Sequence, residues 1–540
     1  MREKDTAEAD LQAFFRLRVS RQAHKGASIL MPEKIDLSAI QTEFGAGNYV
    51  VLATYFLAML IIGIRAGRQT RGAAGYFTGE GKIHHVLVGL SLLGTYLSAL
   101  TMMALPAMSF GKADMTWSIQ IPFLLITAVV ITRFVLPRYR EAGCLSVYEF
   151  LEQQIHVSSR LLASVAFIAL SIGRMGLVLY LPALSFSIVT GFDLMTTLVV
   201  MGIIVTFYTV LGGIRGVIWT DAIQVVIFIV GALVSLVYMF DADVNFLAIA
   251  NAHHKFRVFN WDTRITEVTT LWLVLETVFQ TIRIYATQQD MTQRYIAAES
   301  TEKANRSVWI SILGYIPLGY LFYFIGVALF VYYTANPDPN VELLARAEKL
   351  DSLYGYFVVT HMPQGLAGLV IAAFFAASMS TISSSMNSCS AVCVEDFYRR
   401  FSRSEKPDDH YLRVAKSLSL VWGLLTVVMG ILLMEITRAQ VVWSKTMSIS
   451  TCGMLGLMAL AFLPRRIHPA AAVTGFVSSY VALFVMMYCL RLNPTVGFVF
   501  PIEKGTGVNF LLWPVVGNLV CFFVALGVDT LLPNRGAEPE

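Results

Sequence analysis

The sequence predicts an all-α integral membrane protein of about thirteen transmembrane helices, and three observations carry that prediction. Of 540 residues, 56% are hydrophobic and only 14% are charged, a balance foreign to soluble domains. The apolar residues fall in runs near the roughly 20 residues that cross a bilayer, and no soluble domain interrupts them. Two of these runs, at 86–110 and 267–285, are broken by polar residues and lie five spans apart. That is the spacing of two five-helix halves of opposite topology with a ligand site between their broken first helices.

The chain opens with a polar, mixed-charge segment at 1–47 that lacks the apolar run of a signal peptide. A more ordinary leader, MPEKIDLSAI, begins at Met31, which makes Met31 an alternative start. Spans are expected at 48–67, 86–110, 116–137, 160–190, 194–212, 217–240, 267–285, 307–333, 364–394, 411–434, 440–463, 467–490 and 508–532. The net charge of +4 is dispersed over short loops and points to no nucleic-acid partner. Loops carrying Arg65, Arg68, Arg133, Arg138, Arg140, Arg294, Lys303, Arg306, Arg399, Arg400 and Arg403 alternate with poorer ones carrying Lys255, Arg257, Arg346 and Lys349. The cation-rich set belongs in the cytoplasm, which leaves the N-terminus outside and the C-terminus inside. The six cysteines form no C-x-x-C pair and read as small core residues. No His-rich cluster suggests a redox centre.

Within 86–110 the polar residues are Gly94, Thr95, Ser98 and Thr101, with Pro106 soon after. Unwound backbone at membrane depth survives only where it lines a cavity or is buried in protein, and its free carbonyls can then hold a cation. A kinked packing helix is the alternative. Gln120 near the outer end of 116–137 reads as an interhelical hydrogen bond. Arg174 sits in the middle of 160–190 among apolar neighbours. A charge there costs roughly 2.5–3.5 kcal/mol even on the mild insertion scale, so it needs a partner. That partner is a distant acid such as Asp221 or Glu276, or the carboxylate of a ligand met by the planar guanidinium fork. Asp221 opens a helix after the glycines of YTVLGGIRGVIWTDAIQ and reads as a cap or as part of a cation site. Glu276, Gln280 and Arg283 share one helix face at i, i+4, i+7, which makes Arg283 a second candidate anion partner. In 371–394, Ala377, Ser380, Thr381, Ser384 and Ser388 form a narrow stripe of small, mostly hydroxyl residues, with Ser383 and Asn387 beside it. Hydrocarbon does not reward such a stripe, so it packs helices closely or faces an ion.

Four segments, GYFTGEGKI (75–83), GGIRGVIWTDAIQ (212–224), TQRYIAAES (292–300) and IAAFFAASMSTISSSMNS (371–388), together resemble the solute:sodium symporter family. The resemblance covers nearly the whole chain after residue 47. It implies the LeuT-type 5+5 inverted-repeat fold with discontinuous first and sixth core helices, and a multi-pass protein of the bacterial inner membrane. The 48–67 helix would be peripheral, 84–463 the repeat core, 464–532 two added helices and 533–540 a cytoplasmic tail. The resemblance also implies Na+ as coupling ion. One sodium site would use the carbonyls of Gly94, Leu97 and Ala377 with the hydroxyls of Ser380 and Thr381. A second would use Asp221, Ser380, Ser383 and Ser384.

The sugar-transporting branch of the family uses positions that fall here on Thr281 and Tyr315, a poor match. The sialic-acid branch matches better: Arg174 would bind a carboxylate, with Ser98, Thr101 and Gln120 as further substrate contacts. Tyr96 departs from that branch, where a smaller hydroxyl residue is expected. The expectation is therefore a sodium symporter importing a carboxylate-bearing solute, with sialic acid the first choice and another organic acid the alternative. It would work without an obligate protein partner. A membrane solute sensor is the rival of another class, and it lacks a soluble output domain after Leu532. A membrane enzyme finds no nucleophile–base or metal constellation in the sequence.

Overall fold

The computed structural model describes residues 37–532 except 38–39, 69–71, 112–113, 241–242, 265–266, 435–448, 450–451, 490, 494–496, 500–505 and 508. Most of the 1–47 segment with its Met31 start, the tail at 533–540 and much of the span at 440–463 lie outside the described residues. Helix α1 (Ala46–Gly67) is followed by a bent pair, α2 (His85–Tyr96) and α3 (Leu100–Phe110), which meet at 58°. Next come α4 (Thr116–Ala142), α5 (Val157–Thr190) and α6 (Leu194–Met239). A second pair, α7 (Thr270–Thr287) and α8 (Gln289–Ala297), precedes α9 (Thr301–Ala335). The chain continues through α10 (Leu366–Phe401), α11 (Asp408–Leu432), α12 (Met454–Ala461), α13 (Pro469–Met487) and α14 (Phe510–Leu531).

Local chemistry sets many of these boundaries. Asp193, Thr269 and Ser300 each accept a hydrogen bond from a first-turn N–H of α6, α7 and α9, satisfying donors that a helix start leaves open. Gly191 ends α5 at φ 73°, the left-handed conformation that favours glycine. Between α13 and α14 lies a feature the hydropathy pattern does not predict, three short antiparallel strands. Arg491–Asn493 is central, flanked by Gly497–Val499 and Thr506–Gly507.

Among the described residues, nine helices are long and apolar enough to span a bilayer, and the bent α2–α3 pair makes a tenth. The expectation of about thirteen differs for three physical reasons. The spans at 194–212 and 217–240 are continuous in α6, whose 46 residues would measure about 69 Å if straight, more than twice a bilayer core. A kink at Gly213 (φ 55°, ψ −162°) divides them. α7 carries Glu276 and Arg283 within its 18 residues and is too polar to count. The span at 440–463 is only partly described.

Gly213 admits no side chain. A Cβ there would stand 2.7 Å from the Tyr76 ring and 3.1 Å from the Tyr76 carbonyl oxygen. Gly213→Ala is expected to cost about 1–3 kcal/mol through the disfavoured φ alone. Thermal unfolding of the detergent-solubilised protein checks this, and an unchanged Tm would contradict it.

The bundle is organised around α10, in which every residue from Val370 to Val392 is buried. α1 buries only Asn48, Leu52, Tyr55, Met59 and Gly63, one stripe at helical spacing, while Leu57, Ile61 and Ile64 are exposed. A helix apolar all round but buried on one stripe faces lipid. The C-terminal end of α3 is held by Lys255, whose ammonium donates to the carbonyls of Ser109, Phe110 and Gly111 and pairs with Asp114 at 3.2 Å. Burial pushes this amine below its usual pKa, and the Asp114 carboxylate opposes that shift.

Candidate functional site

The site grows from two breaks in helical backbone. α2 ends at Tyr96, and Leu97 is extended at φ −71°, ψ 131°. The N–H groups that would have satisfied the last carbonyls of α2 are turned away, and the Ser98 N–H donates instead to Thr101 Oγ1 at 3.4 Å. The second break is at Gln288 (φ −92°, ψ 127°), between α7 and α8. It lies beyond the 267–285 run, so much of TQRYIAAES is the second half of a broken helix and not a loop.

The first break faces α10. Ser380 Oγ lies 2.9 Å from the Gly94 carbonyl oxygen and 3.3 Å from that of Ala377. Thr381 Oγ1 lies 3.5 Å from the Leu97 carbonyl oxygen and 3.4 Å from that of Ala377. Five buried oxygens thus converge from two segments, residues 94–97 and α10. Each hydroxyl has one proton and two carbonyls within reach, so the cluster holds more acceptors than donors. Hard cations take oxygen shells of this kind.

Two buried guanidinium–carboxylate pairs flank the cluster. Arg174 donates through Nη1 to Asp290 Oδ2 at 2.8 Å and through Nη2 to the Thr95 carbonyl at 2.7 Å. Its acid is therefore Asp290, not the Asp221 or Glu276 that the sequence offered. Asp221 pairs with Arg294, whose Nη2 is 2.8 Å from Oδ2, and both side chains are fully buried. Arg294 Nη2 also donates to Ser384 Oγ, and its Nε donates to Ser91 Oγ. Arg294 is thus no loop cation, and it links Asp221 to Ser384. Ser383 donates to the Ser380 carbonyl at 3.1 Å, while the Ser380 hydroxyl points to the first cluster. Ser388 and Asn387 meet Gln293 instead.

A cavity of about 150 Å³ opens between the two breaks, and Ser98, Thr101, Gln120 and Arg174 all line it. Tyr96 also lines it and packs edge-on against Tyr315, ring centroids 4.7 Å apart. The aromatic residue that departs from the sialic-acid branch thus forms part of a wall. Glu276 and Gln288 line the same cavity. Sequence reasoning missed Asp290, Arg294 and Gln288. The one available signal was the i, i+4 spacing of Asp290 and Arg294 in QDMTQRYIA, an acid and a base on one face.

Two broken helices around a polar cavity, with an oxygen cluster at one break, define a secondary transporter of LeuT-type fold. Residues 76–478 match the sodium:solute symporter family. The chain is 32% identical over 486 residues to the sodium/sialic acid symporter SiaT of Proteus mirabilis, covering 88% of this chain and 93% of that one. It is 31% identical over 504 residues to the sodium/sialic acid symporter NanT of Aliivibrio fischeri, covering 91% and 95%. The solved structure of a substrate-bound, outward-open Na+-coupled sialic acid symporter superposes with a TM-score of 0.79 at 29% identity, over 91% of this chain and 99% of the other. The chain belongs to the sodium:solute symporter family. It is a multi-pass protein of the bacterial inner membrane and a sodium-coupled transporter, not an enzyme.

Proposed function

We infer that the chain imports a sugar acid, sialic acid, by symport with sodium. One observation carries this reading: residues 94–101 face both the α10 hydroxyl cluster and the cavity. The Gly94 and Leu97 carbonyls face the hydroxyls of Ser380 and Thr381. The Thr95 carbonyl holds Arg174, while Ser98 and Thr101 line the cavity. Sodium bound by Gly94, Leu97, Ala377, Ser380 and Thr381 fixes the break, and the fixed break orients the substrate contacts. Coupling of this kind is reciprocal, each ligand raising the affinity for the other by the same factor.

The acid's carboxylate binds the Arg174 fork, sharing it with Asp290, and Ser98, Thr101 and Gln120 read the rest of the molecule. A second sodium at Asp221, Ser380, Ser383 and Ser384 requires Arg294 to move off Asp221. Asp221 Oδ1, buried and without a hydrogen-bond partner, supports room for that exchange. The chain enters the bilayer from outside and ends in the cytoplasm. Within the repeat core at 84–463 a helix bundle rocks against its scaffold, with 48–67 and 464–532 peripheral to the motion.

Proteoliposome uptake of radiolabelled N-acetylneuraminate under an inward sodium gradient tests the reading. Accumulation with sodium and none with potassium is expected, and no accumulation with sodium overturns the substrate assignment. Thr381→Ala removes one hydroxyl from the first cluster. It should raise the sodium concentration for half-maximal uptake about tenfold, the effect of about 1.4 kcal/mol. An unchanged sodium dependence would leave the α10 hydroxyls as a packing face.

A further inference from the structure

Arg174 accounts for one end of the cavity; the α7–α8 side carries different chemistry. Gln288 is 1% exposed and lines the cavity, and neither its amide nitrogen nor its amide oxygen has a hydrogen-bond partner. Glu276 lines the same cavity, and no N–H or O–H of the described residues donates to its carboxylate. Arg283, at the fully buried end of the same helix face, acts on Glu276 electrostatically and donates from Nε to Gln280 Oε1. A buried amide without partners costs free energy that a ligand with matching donors and acceptors recovers.

We propose that Glu276 and Gln288 form a second pole of the substrate site, which reads neutral hydroxyl donors at the end of the acid remote from its carboxylate. The proposal rests on the carboxylate binding at Arg174. Charge balance favours hydroxyls over an ammonium. Among the described residues, Arg174 is offset by Asp290 and Glu276 by Arg283, so these charges sum to near zero. A substrate carboxylate balanced by one sodium keeps that sum without a substrate cation. The Glu276 carboxyl accepts hydrogen bonds in either protonation state, so it favours hydroxyl donors, and Gln288 both donates and accepts. The substrate class is then the polyhydroxylated acids, with simple monocarboxylates disfavoured because they leave the buried Gln288 amide unsatisfied. Sites built to bond a hydroxyl discriminate strongly against analogues lacking it.

The test uses the full-length protein in detergent with sodium present. Calorimetry measures binding of N-acetylneuraminate and its mono-deoxy analogues to the wild type, Gln288→Met and Glu276→Met. At least one deoxy analogue should bind the wild type tenfold or more weakly than the parent acid, and that penalty should vanish in Gln288→Met or Glu276→Met. Penalties of equal size in wild type and variants overturn the proposal. Melting without ligand gives a second readout: Gln288→Met should be at least as stable as the wild type, because it removes an unsatisfied buried amide. A large loss of Tm would assign Gln288 a structural role and overturn its part. If the wild type binds no sugar acid at all, the substrate reading itself fails, an outcome distinct from variants that bind like the wild type.

Discussion

Arg174→Ala is expected to abolish sodium-driven uptake, by at least about 100-fold, which corresponds to some 2.8 kcal/mol. Arg174 is only 7% exposed, and its guanidinium bridges Asp290 to the Thr95 carbonyl at the end of α2. Its removal withdraws the carboxylate fork and leaves Asp290, whose Oδ1 already lacks a partner, buried without its ion-pair partner. Breaking a buried pair from one side typically costs about 3–5 kcal/mol, so loss of uptake alone would not separate binding from folding. Two further variants do. Arg174→Lys keeps the charge and loses the planar fork; it should melt close to the wild type while the KM for the acid rises at least about tenfold. Arg174→Ala combined with Asp290→Ala removes both charges and should recover most of the lost Tm without recovering uptake. Wild-type uptake by the double variant would show that Arg174 is only one half of a structural pair.

The same residues show how far the sequence could be read. Arg174 announces itself because a charge inside an apolar run is costly wherever its partner lies. The hydroxyl stripe of α10 does so because small polar side chains at helical spacing earn nothing from hydrocarbon. The first break was legible from Gly94, Ser98 and Pro106. Partner choice was not, because Arg174 and Asp290 are 116 positions apart and only the packed bundle brings them together. Residues 289–297 were read as loop for a related reason. Hydropathy averages composition, and a polar helix buried by ion pairing has the composition of a solvated connection. Arg294, at 0% exposure, is the clearest example. Gln288 carries no sequence signature at all, since an amide in a polar stretch looks the same whether its hydrogen bonds are made or missing.

Arg294→Ala should destabilise the protein by about 3–5 kcal/mol, and sodium should reverse part of that loss. Arg294 and Asp221 are both fully buried, with Nη2 and Oδ2 2.8 Å apart. The variant therefore strands a carboxylate beside Ser91 and Ser384. If Asp221 with the α10 serines holds a second sodium, the cation takes the vacated position, and ligand binding to the folded state raises its stability as the logarithm of concentration. Melting in sodium chloride against choline chloride at equal ionic strength should then show a larger sodium-specific gain for Arg294→Ala than for the wild type. Ser384→Ala in the Arg294→Ala background should shrink that gain, whereas Thr381→Ala should leave it in place because its hydroxyl belongs to the other cluster. Equal sodium gains in wild type and Arg294→Ala would mean that no ion replaces the guanidinium. Asp221 and Arg294 would then be a fixed strut between α6 and α8, and sodium coupling would rest on the cluster at Gly94, Leu97, Ala377, Ser380 and Thr381 alone.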